Sequence, residues 1–356
     1  MKLGLGLYRG LLTGDNFRFA QQAGATHLVV HLVDYFKGAN PTLASGGPNL
    51  GWGITTNQGK LWQYEELLGL KRSIEEHGLV WEAIENFDPA HWSDILLDGP
   101  RKREQMEDLK RTIQVIGRVG VPIMGYNFSI AGVWGWTKGP FGRGKAMTLR
   151  YDESQIDKHT PIPNGMVWNM VYDPGAHAGT VTPVSEQELW QRFEWFLTEI
   201  LPVAEENCVR MALHPDDPPT DSLRGAARLV NHPDKYQRVL DLVPSRSNTL
   251  EFCVGSLQEM PGIDIYQTVE HYARQGKLAY VHCRNVRGSV PRYEEVFLDE
   301  GDIDMLSVIR ILRDGGYTGV LVPDHTPHMT CDAPWHAGMA YALGYMKAAL
   351  QAAGVG

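Results

Sequence analysis

The stretch that decides the fold is Arg210-Met-Ala-Leu-His214-Pro-Asp216-Asp217-Pro-Pro219, a short apolar run that leads into a histidine, two aspartates and prolines. Because proline cannot continue a sheet ladder, the run is typical of a buried parallel strand that stops at the histidine. Ligands bind at the carboxyl ends of such strands. His214 is therefore the first candidate functional side chain.

Three later apolar runs end in the same way, on Cys253, His282 and Asp324. The four residues are separated by 39, 29 and 42 positions. One strand-helix unit of a (β/α)₈ barrel takes about 30 residues, and more when its loops carry insertions. The spacing thus predicts an α/β fold, a (β/α)₈ TIM barrel in which these four side chains meet at one rim.

The remainder of the chain fits one barrel domain over residues 1–356. Strands are predicted at 3–7, 27–32, 79–86, 122–128, 210–214, 250–256, 278–285 and 319–324, and helices at 16–23, 62–76, 101–119, 185–200, 226–242, 265–273, 304–313 and 337–352. Two long inserted loops, about 36–60 and 131–183, are placed at the C-terminal face. The second is interpreted as an ordered lid in preference to a disordered segment.

Composition excludes several classes of function. The net charge is −9, so the chain lacks the excess of positive charge that is typical of nucleic-acid-binding proteins. No run of about 18 apolar residues predicts a membrane span. The four cysteines form no CxxC pair, which favours reduced thiols in a cytoplasmic protein. GxSxG is absent, and GxGxxG is absent as a strand-to-helix turn, so neither a serine hydrolase nor a dinucleotide site is indicated.

Two imidazoles, one thiolate and one carboxylate at four strand ends suit a divalent transition metal. The softness of these donor atoms permits Mn²⁺, Fe²⁺, Co²⁺ or Zn²⁺ as the bound ion. Each residue alone has a plainer explanation, since a single histidine at a strand end or a single buried cysteine more often serves packing. The convergence of all four favours a metal site formed by His214, Cys253, His282 and Asp324.

Several neighbours have two open interpretations. His325 either moves a proton or orients a metal ligand. Arg284 either clamps a substrate carboxylate or forms a salt bridge with a rim acid such as Asp216. Asp216 and Asp217 either orient His214 or cap the following turn. The candidate substrate-binding residues are Arg284, Asn127, Asp216 and Trp62. Trp52, Trp62, Trp134 and Trp136 either line a wall for a sugar or pack in the core.

The run Pro202-Val-Ala-Glu-Glu206 followed by Val209 to Pro219 closely resembles mannonate dehydratase, a family of the xylose-isomerase-like barrel superfamily. Segments Gly78–Glu82, Tyr126–Phe128, Cys253–Ser256, His282–Arg284 and Pro323–His325 agree in the same order. The resemblance implies metal ligation by the four strand-end residues, usually around Mn²⁺, and proton transfer by His325. It also implies elimination of water from D-mannonate to give 2-keto-3-deoxy-D-gluconate.

The chain is a divergent member by this resemblance. Where the family has a Pro-Gly-Tyr segment with a catalytic tyrosine, the sequence reads Pro334-Trp335-His336. His336 is the candidate replacement as proton donor, and Tyr341 lies about one helical turn further on. A metal-dependent sugar isomerase or epimerase, or a non-catalytic sugar-acid-binding relative, is the alternative. A small sugar acid is the expected partner, and a homo-oligomer is possible.

Overall fold

Strands and helices alternate along the computed structural model, which describes residues 1–35, 53–55 and 60–355. The strands are β1 (Lys2–Leu7), β2 (His27–Val30), β3 (Val80–Glu85), β4 (Ile123–Tyr126), β5 (Trp136–Gly142), β6 (Ala146–Asp152), β7 (Met166–Val167), β8 (Met170–Val171), β9 (Arg210–Leu213), β10 (Ser222–Leu223), β11 (Ala226–Ala227), β12 (Asn248–Cys253), β13 (Leu278–His282), β14 (Asn285–Ser289), β15 (Arg292–Val296) and β16 (Val320–Val322). The helices are α1 (Gly14–Gln22), α2 (Tyr64–Glu76), α3 (Pro89–Leu97), α4 (Lys102–Val119), α5 (Glu186–Glu206), α6 (Pro233–Leu242), α7 (Val254–Gln258), α8 (Ile265–Ala273), α9 (Met305–Asp314) and α10 (Pro334–Ala352).

Eight of these strands close a barrel in the order β1-β16-β13-β12-β9-β4-β3-β2. Every neighbouring pair is parallel, and the ring closes where Lys2 of β1 pairs with Val320 of β16. The predicted TIM barrel is confirmed. Because all eight strands run in the same direction, their carboxyl ends share one rim, and residues from distant parts of the sequence meet there.

The barrel interior changes character along its axis. Its apolar part is a small buried cluster: Val29, Ala83, Ile123, Ala212, Ala279, Tyr280, Val320 and Val322. The helices cover the outside and bury a much larger apolar layer against the strands. Towards the carboxyl ends the inward positions become polar, with Glu85, Glu251 and His282 all buried. The polar layer therefore lies directly under the rim.

Local sequence explains where individual helices begin. Ser185 caps α5 and forms the predicted capping box with Glu188. The predicted helix at 226–242 is wrong in its first part, because α6 begins only at Pro233 and residues 226–227 pair with 222–223 as a short hairpin. The residue before a proline is disfavoured in helical conformation, which is why the helix cannot start earlier. Helix α3 was not predicted.

The predicted strand at 250–256 is too long. β12 ends at Cys253, and α7 begins with the next residue. The Cys253 side chain accepts a hydrogen bond from the Ser256 backbone N–H at 3.4 Å and so turns the chain into the helix. This turn holds the sulfur at the rim of the barrel.

The segment 131–183 forms ordered structure over the rim. Its strands β5 and β6 join the hairpin β14–β15 in a four-stranded sheet with the order β14-β15-β6-β5. The sequence predicted the segment but not its partner hairpin, which comes from the connection after β13. Of the other predicted insertion, 36–60, residues 36–52 and 56–59 lie outside the described part of the chain, and Trp52 is among them.

Among the described helices, none combines the length and apolar character that crossing a membrane requires.

Candidate active site

The structure brings the four predicted metal ligands together at the rim. One ligand atom each from His214, Cys253 and His282 lies within 4.8 Å of the others. Asp324 completes the group, since its Oδ2 is 4.0 Å from the Cys253 sulfur and 3.7 Å from His282 Nδ1. These four residues stand directly after β9, at the last residues of β12 and β13, and two residues after β16. The donor atoms are close enough to share one ion.

Hydrogen bonds fix which ring nitrogens face the centre. His214 Nδ1 is 2.6 Å from the Pro215 carbonyl oxygen, which can only accept, so this nitrogen carries the proton and Nε2 remains for a ligand. His282 turns Nε2 towards Glu85 at 3.4 Å and Glu251 at 3.6 Å. Its Nδ1 is buried and has no hydrogen-bond partner among the described residues. A nitrogen in that position has room for a metal bond.

The surroundings of Cys253 favour its thiolate form. Burial raises the pKa of its thiol, but the Arg284 charge and the neighbouring rings of His214 and His282 lower it to about 5. Burial lowers the pKa of His214, whereas the hydrogen bond with Cys253 and the charge of Glu251 raise it to about 9. Thiolate is the form of cysteine that ligates metals. The sulfur is therefore ready for ligation at neutral pH.

The donor set fits a divalent transition metal. Sulfur, two imidazole nitrogens and a carboxylate oxygen match the preferences of borderline ions such as Zn²⁺, Fe²⁺, Co²⁺ and Mn²⁺. The unpartnered Nδ1 of His282 is a buried polar atom whose desolvation would cost free energy unless something binds it. His214, Cys253, His282 and Asp324 can thus hold one ion.

His325 lies beside this group on the cavity side. Its Nδ1 donates to Glu295 Oε1 at 2.9 Å, and its Nε2 is 3.5 Å from Asp324 Oδ1. Trp136 packs edge-on against the ring at a centroid distance of 5.8 Å. Burial lowers the pKa of His325, but Asp324 and Glu295 raise it to about 9. A ring held between two carboxylates takes up a proton readily.

Arg284 is engaged by the protein itself. Its Nη2 is 2.6 Å from Asp217 and 2.8 Å from Glu259, while its Nη1 is 3.2 Å from Asp324 and 3.4 Å from Glu295. The guanidinium lines the cavity but is only 1% exposed. Of the two open interpretations, the geometry corresponds to the salt bridge, with Asp217 in place of the expected Asp216. Because both terminal nitrogens of its guanidinium contact carboxylates, Arg284 organises the carboxylates of the rim and its two-nitrogen fork is not open to clamp a substrate.

Two other predicted substrate contacts lie away from the cavity. The Asp216 carboxylate accepts from the backbone N–H groups of Leu229 and Val230 and contacts Arg228 at 3.2 Å, so it shapes the loop after β9. Trp62 is buried against the His91 ring at a centroid distance of 6.1 Å. For Trp62 the packing interpretation therefore holds. Neither residue is among the described residues that line the cavity.

Asn127 does line the cavity, where its side-chain amide donates to Asn86 Oδ1 at 2.9 Å. His336 does not, and its Nε2 bonds Asn16 Oδ1 on α1 at 2.8 Å. Tyr341 is directed towards Arg143 instead of the cavity. Neither His336 nor Tyr341 is thus among the described residues that line the cavity.

The cavity above the four ligands has a volume of about 620 Å³. Segment 131–183 supplies one wall, including Trp134, Trp136 and Lys138, and α10 supplies Trp335. Of the tryptophans considered for a cavity wall, Trp134 and Trp136 do line the cavity. The volume of the cavity suits a small polyhydroxylated molecule, which would be largely enclosed.

Several residues at the site were missed from sequence. They are Tyr8, His31, Glu251, Tyr280 and Glu295. For Glu251 a signal exists, since a carboxylate inside the apolar run 250–253, two positions before Cys253, must face the barrel interior. Glu295 has no such signal, because it belongs to the hairpin β14–β15 and not to a barrel strand.

Comparisons with known proteins identify the relatives of this chain. The family model described as D-mannonate dehydratase (UxuA) matches residues 43–355. Mannonate dehydratase 2 of Halalkalibacterium halodurans is 32% identical over 279 residues, which cover 75% of this chain and 79% of that relative. The mannonate dehydratase of Thermotoga maritima is 31% identical over 288 residues, covering 75% and 78%.

Among solved structures, mannonate dehydratase from Streptococcus suis serotype 2 is similar with a TM-score of 0.75 and 27% identity, covering 99% of this chain and 95% of that one. A structure of L-ribulose 3-epimerase has a TM-score of 0.57 at 14% identity, with coverage of 99% and 95%. The second likeness shows a shared fold alone.

Proposed function

Because the chain belongs to the mannonate dehydratase family, a family of hydro-lyases, we propose that it removes water from D-mannonate to give 2-keto-3-deoxy-D-gluconate. The observation that carries the proposal is the meeting of His214, Cys253, His282 and Asp324 beside His325. The finer parts of the proposal, including Mn²⁺ as the ion and a place in hexuronate breakdown in the cytoplasm, rest on the family and on the need for a reduced Cys253.

The reaction sets clear chemical demands. The C2–H bond next to the carboxylate breaks, its electron pair forms a C2=C3 double bond, and the C3–O bond breaks. The departing hydroxyl group takes a proton and leaves as water, and the resulting enol rearranges to the 2-keto acid. The enzyme must therefore stabilise negative charge near C1 and C2 and must move protons at both carbons.

His214, Cys253, His282 and Asp324 would hold the ion. A divalent ion bound there supplies positive charge next to the oxygens of the sugar acid, which makes the C2 proton easier to remove. Arg284 contributes by binding the Asp324 and Glu295 carboxylates, which fixes their positions at the rim.

His325 is the proposed proton-transfer residue. Glu295 accepts a hydrogen bond from the Nδ1–H group of His325. The opposite ring nitrogen, Nε2, is therefore directed towards Asp324 and the cavity. Nε2 is the atom that would exchange a proton with the substrate, and the Glu295 carboxylate would stabilise the imidazolium form of the ring. Glu295 acts through His325 and is therefore a positioning residue.

The cavity wall contributes orientation and exclusion of water. Asn127 offers an amide for substrate hydroxyl groups, and the rings of Trp134 and Trp136 cover one side. Closing such a cavity around the substrate strengthens the electrostatic interactions within it.

The direct test is to incubate the purified protein and Mn²⁺ with a panel of aldonic acids and to detect 2-keto acids. We expect product from D-mannonate and none from neutral ketoses. A matched preparation of His325→Asn serves as the control for contaminating activity. Turnover of neutral ketoses without dehydration of any aldonic acid would overturn the proposal.

A further inference from the structure

The hairpin β7–β8 turns through two residues, Trp168 and Asn169, whose backbones both have positive φ, 51° and 61°. Two-residue hairpin turns of this kind usually contain glycine, because a bulky side chain at positive φ is strained. Neither residue is glycine here. Both side chains are buried, and both line the cavity. Unfavourable backbone conformations persist mostly at functional sites, so this turn is a candidate for ligand binding.

Arg224, in the turn between β10 and β11, holds the Trp168–Asn169 turn from outside the segment. Its side chain is buried, and its Nη1 donates to Asn169 Oδ1 at 3.3 Å. Nε and Nη2 donate to the carbonyl oxygens of Thr160 and Pro161 at 3.2 and 3.1 Å. The guanidinium also lies 5.3 Å from the centre of the Trp134 ring. One side chain thus ties together three parts of segment 131–183.

The contact with Arg224 fixes the direction of the Asn169 amide. A guanidinium group has donors and no acceptor, so the amide atom beside it must be the oxygen. Nδ2 is then on the other branch of the side chain, and it makes no hydrogen bond with another described residue. Because Asn169 lines the cavity, its N–H groups remain for a bound molecule. A buried amide donor without any partner would cost free energy.

Uncharged side chains continue the cavity wall beside this turn. The Asn127 amide donates to Asn86 at 2.9 Å, and the Asn86 amide donates to the Tyr35 hydroxyl at 3.0 Å. The Tyr35 ring packs edge-on against Trp168 at a centroid distance of 5.4 Å. All of these residues line the cavity. Amide, phenol and indole groups suit the hydroxyl groups and carbon skeleton of a neutral polyol.

A path of contacts separates this wall from the four metal ligands. The Tyr35 hydroxyl is 3.0 Å from His31 Nδ1, and His31 Nε2 is 3.8 Å from Glu85. Glu85 is in turn 3.4 Å from Nε2 of the ligand His282. His31 and Glu85 thus stand between the uncharged wall and the ligand. A molecule whose reacting end lies at the ligands therefore meets the wall with its other end.

We propose that Asn169 is a substrate-binding residue, which donates from Nδ2 to a hydroxyl group beyond C3 of the sugar acid. Arg224 acts through Asn169 and is the positioning residue. The inference rests on the proposed function, in which C1 to C3 react at the metal ligands and His325. The carbons beyond C3 then form a neutral hydroxylated tail that fits the uncharged wall. A hydrogen bond to this tail selects sugar acids that carry it.

The test compares the binding of D-mannonate with that of L-glycerate, which has the same first three carbons and C2 configuration but lacks the tail. Dissociation constants are measured by isothermal titration calorimetry on Mn²⁺-loaded His325→Asn protein, so that turnover does not interfere. Adding Asn169→Gly should weaken D-mannonate binding about 3- to 10-fold and leave L-glycerate binding within about twofold. Glycine adopts positive φ without strain, so the turn should be retained.

Arg224→Lys tests the positioning role. Lysine keeps the positive charge but cannot form the fork of hydrogen bonds that holds the amide. We expect D-mannonate binding to weaken and this loss to diminish when Asn169→Gly is already present, because the two residues act together. A loss of the same size in both backgrounds would assign Arg224 to the structure of the segment alone and overturn its positioning role.

Asn164→Ala is the matched control, because Asn164 lies in the same segment and donates to the His177 carbonyl oxygen at 3.3 Å. It is not among the described residues that line the cavity. The affinity of this control for both ligands should stay within about twofold of the parent protein, since it removes no contact with them.

Unchanged D-mannonate affinity in Asn169→Gly, or equal weakening of both ligands, would overturn the inference and leave the proposed function standing. Wild-type protein that binds D-mannonate through Asn169 without converting it would contradict the proposed function alone. Absence of D-mannonate binding would contradict both.

Discussion

Replacing Glu295 with glutamine tests whether this buried carboxylate positions the proton-transfer group. Glutamine keeps an oxygen that can accept from His325 Nδ1, but it removes the negative charge 2.9 Å from the ring. A hydrogen bond to a charged group contributes about 1.5–3 kcal/mol, against about 0.5–1.5 kcal/mol for a neutral one. The neutral hydrogen bond remains in the variant, so the loss is the difference of about 1–1.5 kcal/mol, which would lower kcat about 5- to 13-fold.

The assay is steady-state formation of 2-keto acid from D-mannonate with saturating Mn²⁺. We expect kcat to fall while KM changes little, because Glu295 bonds His325 and Arg284 within the protein. The pH profile should also move. Since Glu295 raises the pKa of His325, the kinetic pKa of this group should be lower in the variant. A change in packing alone would not shift that pKa.

Glu294→Gln is the matched control, because Glu294 is the neighbouring residue on β15 and its carboxylate bonds Arg150 at 2.9 Å instead of the site. We expect kcat of this control within about twofold of the wild type, since Glu294 pairs with Arg150, Arg287 and Arg292, none of which is among the described residues that line the cavity. Metal content should be unchanged in both variants. A Glu295→Gln enzyme with wild-type kcat and an unmoved pH profile would refute the positioning role.

Three further outcomes are expected. His325→Asn should bind metal normally but lose at least about 100-fold in kcat, measured by the same assay; near-normal turnover would show that its role is misassigned. Cys253→Ser should lower metal occupancy, because a hydroxyl group is a poor replacement for a thiolate ligand; unchanged metal content would count against ligation by sulfur. In metal-free protein, thiolate absorbance should disappear as the pH falls through about 5, because the pKa of Cys253 lies below that of an ordinary thiol. The linked stability should be greatest above the unfolded thiol pKa and be lost as the pH falls through about 5, and a thiolate signal that appears only near the ordinary thiol pKa would contradict the structure.

The barrel and its rim were predictable because strand-end residues follow a regular spacing. His214, Cys253, His282 and Asp324 each end an apolar run, and parallel strands bring such ends to one rim. This prediction depends on where the strands end and not on the rotamers of the side chains. Their convergence could therefore be predicted before any distance was known.

The contacts of individual side chains were harder to predict. Asp216 and Asp217 are adjacent in sequence, yet one shapes a backbone turn and the other bonds Arg284 in the site. Trp62 and His336 carry suitable chemistry but face other elements. Which way each residue turns depends on packing between distant segments, and a single sequence carries little information about that.

Glu295 illustrates the remaining limit. It reaches His325 from the hairpin β14–β15, which pairs with β6 of segment 131–183, a contact between residues that are far apart along the chain. Pairing of this kind follows from long-range register, which short sequence patterns do not specify.

The most direct measurement of the central claim is an anomalous-scattering map from crystals of the Mn²⁺-loaded protein. The account predicts a peak bonded to His214 Nε2, the Cys253 sulfur, His282 Nδ1 and the Asp324 carboxylate. A rim without anomalous density among these atoms, or with the Cys253 sulfur turned away from the ion, would contradict it.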